Sequence, residues 1–234
     1  MRKSDLKKGL IDGIPICLGY LSVSFAFGIF AVESGLAVWQ AVLVSMTCVT
    51  SAGQLAAVPI IAGAGGLLEL AVSQLVINMR YALMSISLSQ KLDGGIRLLD
   101  KLAIAFVNTD EVFAAASGQK GMVSKWYMFG LILTPWLGWS VGTLTGAVAG
   151  NILPTIVTSA LGVAIYGMFV AIVVPEAKKN RPTALCVLLA VALSCVFYYV
   201  PALQMIPSGF TIIVCAVLAS AVMAFAAPIE EEVC

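Results

Sequence analysis

The chain consists of long apolar runs separated by short polar connections. Most runs have the roughly 20 residues that a helix needs to cross the hydrocarbon of a bilayer. They are continuous, unlike the short alternating segments of a membrane β-barrel. The pattern predicts an all-α, polytopic membrane protein with about eight transmembrane segments, one or two of them broken or re-entrant, in a single transmembrane domain over residues 1–234. The predicted segments are Ile14–Val32, Leu36–Ala62, Gly66–Leu88, Leu98–Ala116, Trp126–Ala149, Thr155–Val174, Thr183–Val200 and Gly209–Ala226.

Composition supports lipid as the solvent of this chain. Hydrophobic residues make up 61% of the sequence and charged residues 11%, with a mean hydropathy of +1.03. Soluble domains carry roughly a quarter charged residues. The net charge of +1 provides no basic field for nucleic acid, so we expect a lipid bilayer around the protein and no nucleic-acid partner.

The residue types also limit the chemistry. The sequence has no histidine, which removes the usual proton carrier near neutral pH and the commonest metal ligand. Proton chemistry therefore has to use carboxylates. The cysteines show no metal-ligand spacing, and neither G-x-S-x-G nor a phosphate-binding G-x-x-x-x-G-K-[ST] run occurs. We expect neither an enzyme nor an ATPase, and no metal or other cofactor.

Basic residues give two possible topologies. The N-terminal MRKSDLKK places the N-terminus in the cytoplasm by the positive-inside rule. Eight crossings put the loop with Lys91, Arg97 and Lys101 outside, against that rule. Six crossings, with the second and fourth segments re-entrant, put every basic loop inside. Eight crossings are preferred because both of those segments are long and apolar.

Two parts of the chain resemble each other. LGYLSVSFAFGIFA from Leu18 aligns with LGWSVGTLTGAVAG from Leu137, and AGQLAAVP from Ala52 aligns with YGMFVAIV from Tyr166. The second alignment pairs Gly53 with Gly167 and suggests a second helix break. Internal repeats are common in transporters, and the halves would be 9–118 and 126–228. Chance similarity between helices rich in small residues is the alternative.

The stretch SAGQLAAVPIIAGAGG, residues 51–66, places an amide inside an apolar run. Gln54 has two interpretations. It can hydrogen-bond to a neighbouring helix, with small residues allowing close approach. Alternatively, Gly53 and Pro59 break the helix, and the freed backbone groups bind a zwitterionic ligand.

A second polar cluster lies in INMRYALMSISLSQKL, residues 77–92. Arg80 is near the middle of the third segment, about two to three helical turns from its end, which is far for snorkelling to the interface. We expect it to pair with an acid or to bind a carboxylate, because guanidinium and carboxylate groups match in geometry. Asn78 lies nearby, though on a different side of an ideal helix.

The third cluster is VNTDEVFA, residues 107–114. Asn108 or Thr109 can cap a new helix, with Asp110 and Glu111 in its first turn. One acid would then pair with Arg80, and the other would take up and release a proton. A plain helix start at the membrane surface, with both carboxylates in water, is the alternative.

Taken together, AGQLAAV, INMRYALMSISLSQKL and TDEVFA, in this order and spacing, resemble the AzlC family, the large subunits of bacterial branched-chain amino-acid exporters. The resemblance runs from GLIDGIPICLGYLSVSFAFG through the last segment. The family often has N-L-R-H in the third segment. Here the run is Asn78-Met79-Arg80-Tyr81, so a mechanism that needs an imidazole at that point is in doubt.

The resemblance implies a secondary exporter of branched-chain amino acids in the bacterial inner membrane. It also implies a small AzlD-type membrane subunit as partner and a proton gradient as driving force. A channel or scaffold subunit without coupled transport is the alternative function. The predicted substrate-binding residues are Gly53, Gln54, Asn78, Arg80, Tyr81 and Gly167, and the predicted proton-coupling residues are Asp110 and Glu111.

Overall fold

The computed structural model describes residues 2–154 and 177–227, together with positions 156, 157, 167, 170 and 173–175. The predicted segment Thr155–Val174 therefore lies largely outside the described residues. The named helices of the described part are α1 (Arg2–Glu33), α2 (Val38–Thr47), α3 (Ser51–Ala62), α4 (Leu67–Lys91), α5 (Leu98–Phe106), α6 (Asp110–Ser117), α7 (Lys125–Gly150), α8 (Arg181–Tyr199) and α9 (Ser208–Ala226).

Five of these helices are long and apolar enough to cross a membrane: α1, α4, α7, α8 and α9. The predicted all-α, polytopic fold is confirmed. The second and fourth predicted segments are each split into two short helices. Helices α2, α3, α5 and α6 have 10, 12, 9 and 8 residues, which at about 1.5 Å per residue reach only part of the way through a hydrocarbon core of about 30 Å.

Helices α1 and α7 pack closely and run parallel. Gly9 of α1 lies against the backbone of Tyr127, and Gly28 lies against Thr143 and Ala147 further along α7. A Cβ at either glycine, or at Gly146 of α7, would overlap backbone atoms of the partner helix. Glycine is needed at these positions because the two backbones approach too closely for a side chain.

One end of the bundle collects the basic side chains, and we call it the basic end. The N-terminal parts of α1 and α7 lie there. Lys8 donates to Gln119 Oε1 at 2.7 Å, Lys91 donates to the carbonyl of Ser117, and Lys125 forms an ion pair with Asp100 at 2.9 Å. These contacts bring α1, the connections on both sides of the α5–α6 segment and the start of α7 to the same end.

The α5–α6 segment is a re-entrant hairpin. Asp100, in the first turn of α5, lies at the basic end, while Asn108 at the break donates to Ser85 of α4 at 3.2 Å. Helix α6 then returns, and its last residue Ser117 again lies at the basic end beside Lys91. The hairpin enters and leaves the bundle from one side.

The α2–α3 segment is the corresponding hairpin from the opposite end. The turn after α1 is made by Gly35 with φ +98°, a conformation that glycine adopts without strain. Ser45 of α2 contacts Thr143 of α7, and the next residue, Met46, contacts the earlier Trp136, so α2 runs antiparallel to α7. Helix α3 returns toward the opposite end, where Gly63–Gly66 connects it to α4.

The preference for eight crossings was therefore wrong for these two segments. Both are re-entrant hairpins, as in the six-crossing topology, and the connection containing Lys91 and Arg97 lies at the basic end. Apolar character alone did not distinguish the two topologies, because a half-helix inside a protein bundle is as apolar as a full span. The positive-inside rule pointed to the observed arrangement.

A span followed by a re-entrant hairpin occurs twice, in opposite orientation. Helix α1 precedes the α2–α3 hairpin, and α4 precedes the α5–α6 hairpin. Each break has three residues, Cys48–Thr50 and Val107–Thr109, and each ends in threonine. The predicted halves 9–118 and 126–228 remain a prediction, because much of the second half's first connection and second segment lies outside the described residues.

Helices α8 and α9 form an antiparallel pair beside α4. Glu69, in the first turn of α4, is buried, and its Oε1 accepts a hydrogen bond from the backbone N–H of Gly209 at 2.9 Å. This contact places the N-terminus of α9 at the end opposite the basic end. The favourable interaction of a carboxylate with a helix N-terminus holds α9 against α4.

Candidate functional site

The first helix break lies at Cys48–Thr50, between α2 and α3. Val49 and Thr50 are β-branched and favour helices less than leucine or alanine does. Thr50 precedes α3 without making a side-chain cap bond. The prediction that Gly53 and Pro59 form the break was wrong, since both lie inside α3. Gly53 is in its first turn, and Pro59, near its end, removes only one backbone donor.

The second break, Val107–Thr109, follows the sequence prediction. Thr109 caps α6 by accepting a hydrogen bond from the backbone N–H of Val112 at 3.4 Å, and Asp110 and Glu111 lie in the first turn. The alternative of a helix start at the membrane surface does not fit. This cap lies at the tip of a hairpin, because Asp110 directly after it pairs with Arg80 near the middle of α4 and Asn108 contacts Ser85.

Arg80 pairs with an acid, as predicted. Its guanidinium lies 2.8 Å from Asp110 Oδ2, donates to the hydroxyl of Tyr81 at 3.0 Å, and stacks on the ring of Tyr81. The Arg80 side chain is 53% exposed and the Asp110 side chain 47%. Exposed charges at mid-helix in a membrane protein face a water-filled cavity or other protein rather than lipid.

The second carboxylate binds a tyrosine on α1. The hydroxyl of Tyr20 donates to Glu111 Oε2 at 2.5 Å. The ring of Tyr20 is buried and meets the ring of Trp139 edge to face, with centroids 5.0 Å apart. Sequence reasoning missed Tyr20. The available sign was a phenol inside the first apolar segment, where a buried hydroxyl needs a partner.

The tip of the α2–α3 hairpin contacts α4 one to two turns away from Arg80. Gln74 Nε2 donates to the carbonyl of Gly53 at 2.8 Å, and Asn78 Nδ2 donates to Gln74 Oε1 at 3.2 Å. A Cβ on Gly53 would lie 2.7 Å from Gln74 Oε1. Gln74 was also missed, although its i, i+4 spacing from Asn78 places both amides on one helix face.

Two amide oxygens in this region have no partner. Asn78 Oδ1 and Asn108 Oδ1 are buried and accept no hydrogen bond within the described part of the chain. An unsatisfied buried acceptor costs roughly 1–3 kcal/mol. Such groups are retained where a ligand, an ion or water supplies the missing donor.

Gln54 lies apart from these groups, in the bundle interior. It is fully buried; its Nε2 donates to Ser45 at 2.9 Å, and its Oε1 accepts from Trp139 Nε1 at 3.2 Å. Ser45 in turn shares a 2.6 Å hydrogen bond with Thr143. The geometry matches the helix-joining interpretation of Gln54, because these bonds connect α2, α3 and α7.

The structure thus brings six of the predicted site residues to the two hairpin tips and the adjoining face of α4: Gly53, Asn78, Arg80, Tyr81, Asp110 and Glu111. Gly167 is helical and exposed, and its sequence neighbours lie outside the described residues, so its relation to the tips stays a prediction. In the described part of the chain no three His, Cys, Asp or Glu side chains converge as metal ligands would.

These features define a class: a polytopic helical membrane protein with discontinuous helices whose breaks both lie against a neighbouring span, a construction found in secondary transporters. Within that class, the chain belongs to the AzlC family. The family model described as AzlC protein matches residues 15–153, which include most of α1 and all of α2 to α7.

Curated relatives agree with this assignment. The chain is 29% identical to the inner membrane protein YgaZ of Escherichia coli over 77% of this chain and 76% of that protein. It is 31% identical to a membrane protein of Archaeoglobus fulgidus over 78% and 81%. It is 25% identical to the branched-chain amino acid transport protein AzlC of Bacillus subtilis over 72% and 66%. No solved structure matches the chain.

Proposed function

We propose that this protein is the large subunit of a secondary exporter of branched-chain amino acids, driven by the proton gradient. The observation that carries the proposal is that the tips of two half-helix hairpins both contact α4. The α5–α6 tip brings two carboxylates, Asp110 and Glu111, beside the cation Arg80 of α4, and these side chains are partly exposed. The name of the Bacillus subtilis relative supports the substrate class.

The charges suit a zwitterionic substrate. Arg80 and the uncapped first-turn N–H groups of α3 are donors for the substrate carboxylate. Glu111 is an acceptor for its ammonium group, and Asp110 neutralises Arg80 when no substrate is bound. The side-chain oxygens of Asn78 on α4 and Asn108 at the α5–α6 break add acceptors. The apolar surroundings would hold the aliphatic side chain.

Competition at Glu111 provides the coupling. A proton on Glu111 neutralises the carboxylate that binds the substrate ammonium, so proton and substrate exclude one another. Suppose that the protein switches between its outward-open and inward-open states only when Glu111 holds either a proton or a substrate molecule. Each cycle then exchanges one entering proton for one leaving amino acid. Export driven by an inward proton gradient follows from this competition.

Efflux of labelled leucine from proteoliposomes tests the proposal. We expect efflux to accelerate when the external solution is made acidic, relative to protein-free vesicles. Glu111→Gln should abolish the acceleration, and Arg80→Ala should abolish transport while expression is retained. Glu33→Gln, at the end of α1, is the matched control and should transport normally. Equal efflux from protein-free vesicles would contradict the proposal.

The same efflux assay distinguishes the coupled exporter from a channel or a scaffold subunit. A channel does not need a coupling carboxylate, so Asp110→Asn and Glu111→Gln would leave its flux intact. The charged tips favour the coupled exporter, since buried or half-buried ionisable groups in membrane helices are costly and are kept for function.

We further propose a small AzlD-type subunit as partner, in the bacterial inner membrane, with the N-terminus in the cytoplasm. The gathering of Lys8, Lys91 and Lys125 at one end supports this orientation. Support for the partner comes from the family and from the large exposed apolar side chains on α4, including Leu75, Met79 and Leu83. Co-expression with the small membrane protein, followed by co-purification, tests the complex.

A further inference from the structure

We infer that Tyr20 is a positioning residue for Glu111 and that, through Trp139, it joins the two re-entrant hairpins mechanically. The inference rests on the proposed role of Glu111 as the proton site. It adds a specific connection: binding of a proton or substrate to Glu111 on the α5–α6 hairpin changes the conformation at the tip of the α2–α3 hairpin.

The connection is a continuous series of contacts across the α1–α7 pair. The Tyr20 hydroxyl donates to Glu111 at 2.5 Å. The Tyr20 ring meets the Trp139 ring at 5.0 Å with an interplanar angle of 71°. The indole N–H of Trp139 donates to Gln54 Oε1 at 3.2 Å. The series begins on α6, passes through α1 and α7, and ends on α3.

Glu111 is exposed, but burial restricts the movement of the three side chains that follow it in the series. Trp139 is 1% exposed, Tyr20 9% and Gln54 0%. Side chains packed this tightly do not move independently, because a shift of one opens a void or overlaps its neighbour. The α1 and α7 backbones, held together by glycine contacts, provide a fixed frame for the two aromatic rings.

Few charges face Glu111. Among described residues, Tyr20 of α1 donates to Glu111 and Asp110 is adjacent to it on α6, while Arg80 of α4 lies next to Asp110 and donates to Tyr81. The titratable groups of α7, Lys125 and Tyr127, lie at the basic end. Tyr20 is the group that hydrogen-bonds Glu111 directly, while Arg80 is paired with Asp110.

The hydrogen bond from Tyr20 fixes the orientation of the Glu111 carboxyl group. A proton on Glu111 weakens that bond, since a neutral carboxyl oxygen accepts less strongly than a carboxylate. The Tyr20 ring is then free to shift, and Trp139 and Gln54 shift with it. Weakening of the Tyr20–Glu111 hydrogen bond at the α5–α6 tip therefore loosens the packing at the α2–α3 tip.

Tyr20→Phe tests the positioning role, because it removes the hydroxyl and keeps the ring on Trp139. Losing this hydrogen bond should move the midpoint of the transport pH profile, because the carboxyl group of Glu111 is then no longer held by the Tyr20 hydroxyl. The matched control is Tyr127→Phe, whose hydroxyl donates to the carboxylate of Asp12 at 2.9 Å outside the site. An unchanged midpoint in folded Tyr20→Phe would overturn the positioning role.

A second measurement tests the connection without transport. Cys48 lies at the break of the α2–α3 hairpin, and its thiol labelling rate can be followed by peptide mass. Glu111→Gln mimics the protonated state, so the looser α2–α3 tip should raise the labelling rate of Cys48 several-fold. In a Trp139→Phe background, which removes the indole N–H but keeps a ring, the same substitution should have no effect.

The labelling result decides the connection by a double-mutant comparison. If Glu111→Gln leaves Cys48 labelling unchanged, or if its effect persists with Trp139→Phe, the connection is refuted. Failure of the proposed function looks different. In that case wild-type vesicles do not export leucine, whatever the labelling at Cys48 shows.

Discussion

Replacing Gln54 by leucine should destabilise the protein without weakening substrate binding. Leucine has a similar volume, so the main loss is in hydrogen bonding. Ser45 keeps its bond to Thr143 at 2.6 Å, but the indole N–H of Trp139, a side chain only 1% exposed, loses its acceptor. An unsatisfied buried donor costs roughly 1–3 kcal/mol. Interhelical hydrogen bonds in membrane proteins average about 0.6 kcal/mol. We expect a loss of about 1–2 kcal/mol.

Reversible unfolding in mixed detergent micelles measures this loss. In the Gln54→Leu, Trp139→Phe double variant the unpaired N–H is absent, so the double variant should be about 1 kcal/mol more stable than the sum of the single effects implies. The apparent affinity for leucine should stay within about twofold of the wild type. If the loss of about 1–2 kcal/mol came from substrate binding instead, the affinity would fall by about tenfold, since about 1.4 kcal/mol corresponds to a factor of ten.

Gln74→Leu is the matched control, because the same amide is removed from α4 at the α2–α3 tip, where Gln74 donates to Gly53. Gln74→Leu should weaken the free energy of leucine binding by more than it lowers the free energy of unfolding. If Gln54→Leu instead reduces leucine affinity at least tenfold with unchanged unfolding, then Gln54 belongs to the site and the helix-joining interpretation is refuted.

Three further predictions follow from the fold. Gly146→Ala should cost at least about 2 kcal/mol in unfolding because its methyl group overlaps the α1 backbone, whereas Gly19→Ala, with nothing within 4 Å, should be neutral. Cysteines placed at Gly95 and at Lys120 should react with an impermeant thiol reagent from the same side of the membrane, and labelling from opposite sides would refute the re-entrant α5–α6 hairpin. Thr109→Val should cost about 1 kcal/mol in thermal unfolding through loss of the α6 cap, and Thr109→Ser should not.

Several local features were readable from sequence because they depend on neighbouring residues. Thr109 followed by two acids predicts a helix start, and a cap needs only the backbone three residues on. Arg80 far from either helix end predicts a charge partner, because an unpaired guanidinium is too costly there. Gly53 and Pro59 did not, by contrast, locate the α2–α3 break, which lies before Gly53 at Cys48–Thr50.

Residue types alone predict the solvent, the helical class and the presence of an ion pair, since these follow from composition, run length and the cost of buried charge. Tertiary structure decided the direction in which each half-helix runs, because that direction depends on contacts such as Ser45 with Thr143 and Lys91 with Ser117. It also decided the partners: Gln54 met Trp139, and Glu111 met Tyr20. These pairs are 85 and 91 residues apart in sequence, and only the packing of α1 against α7 brings them together.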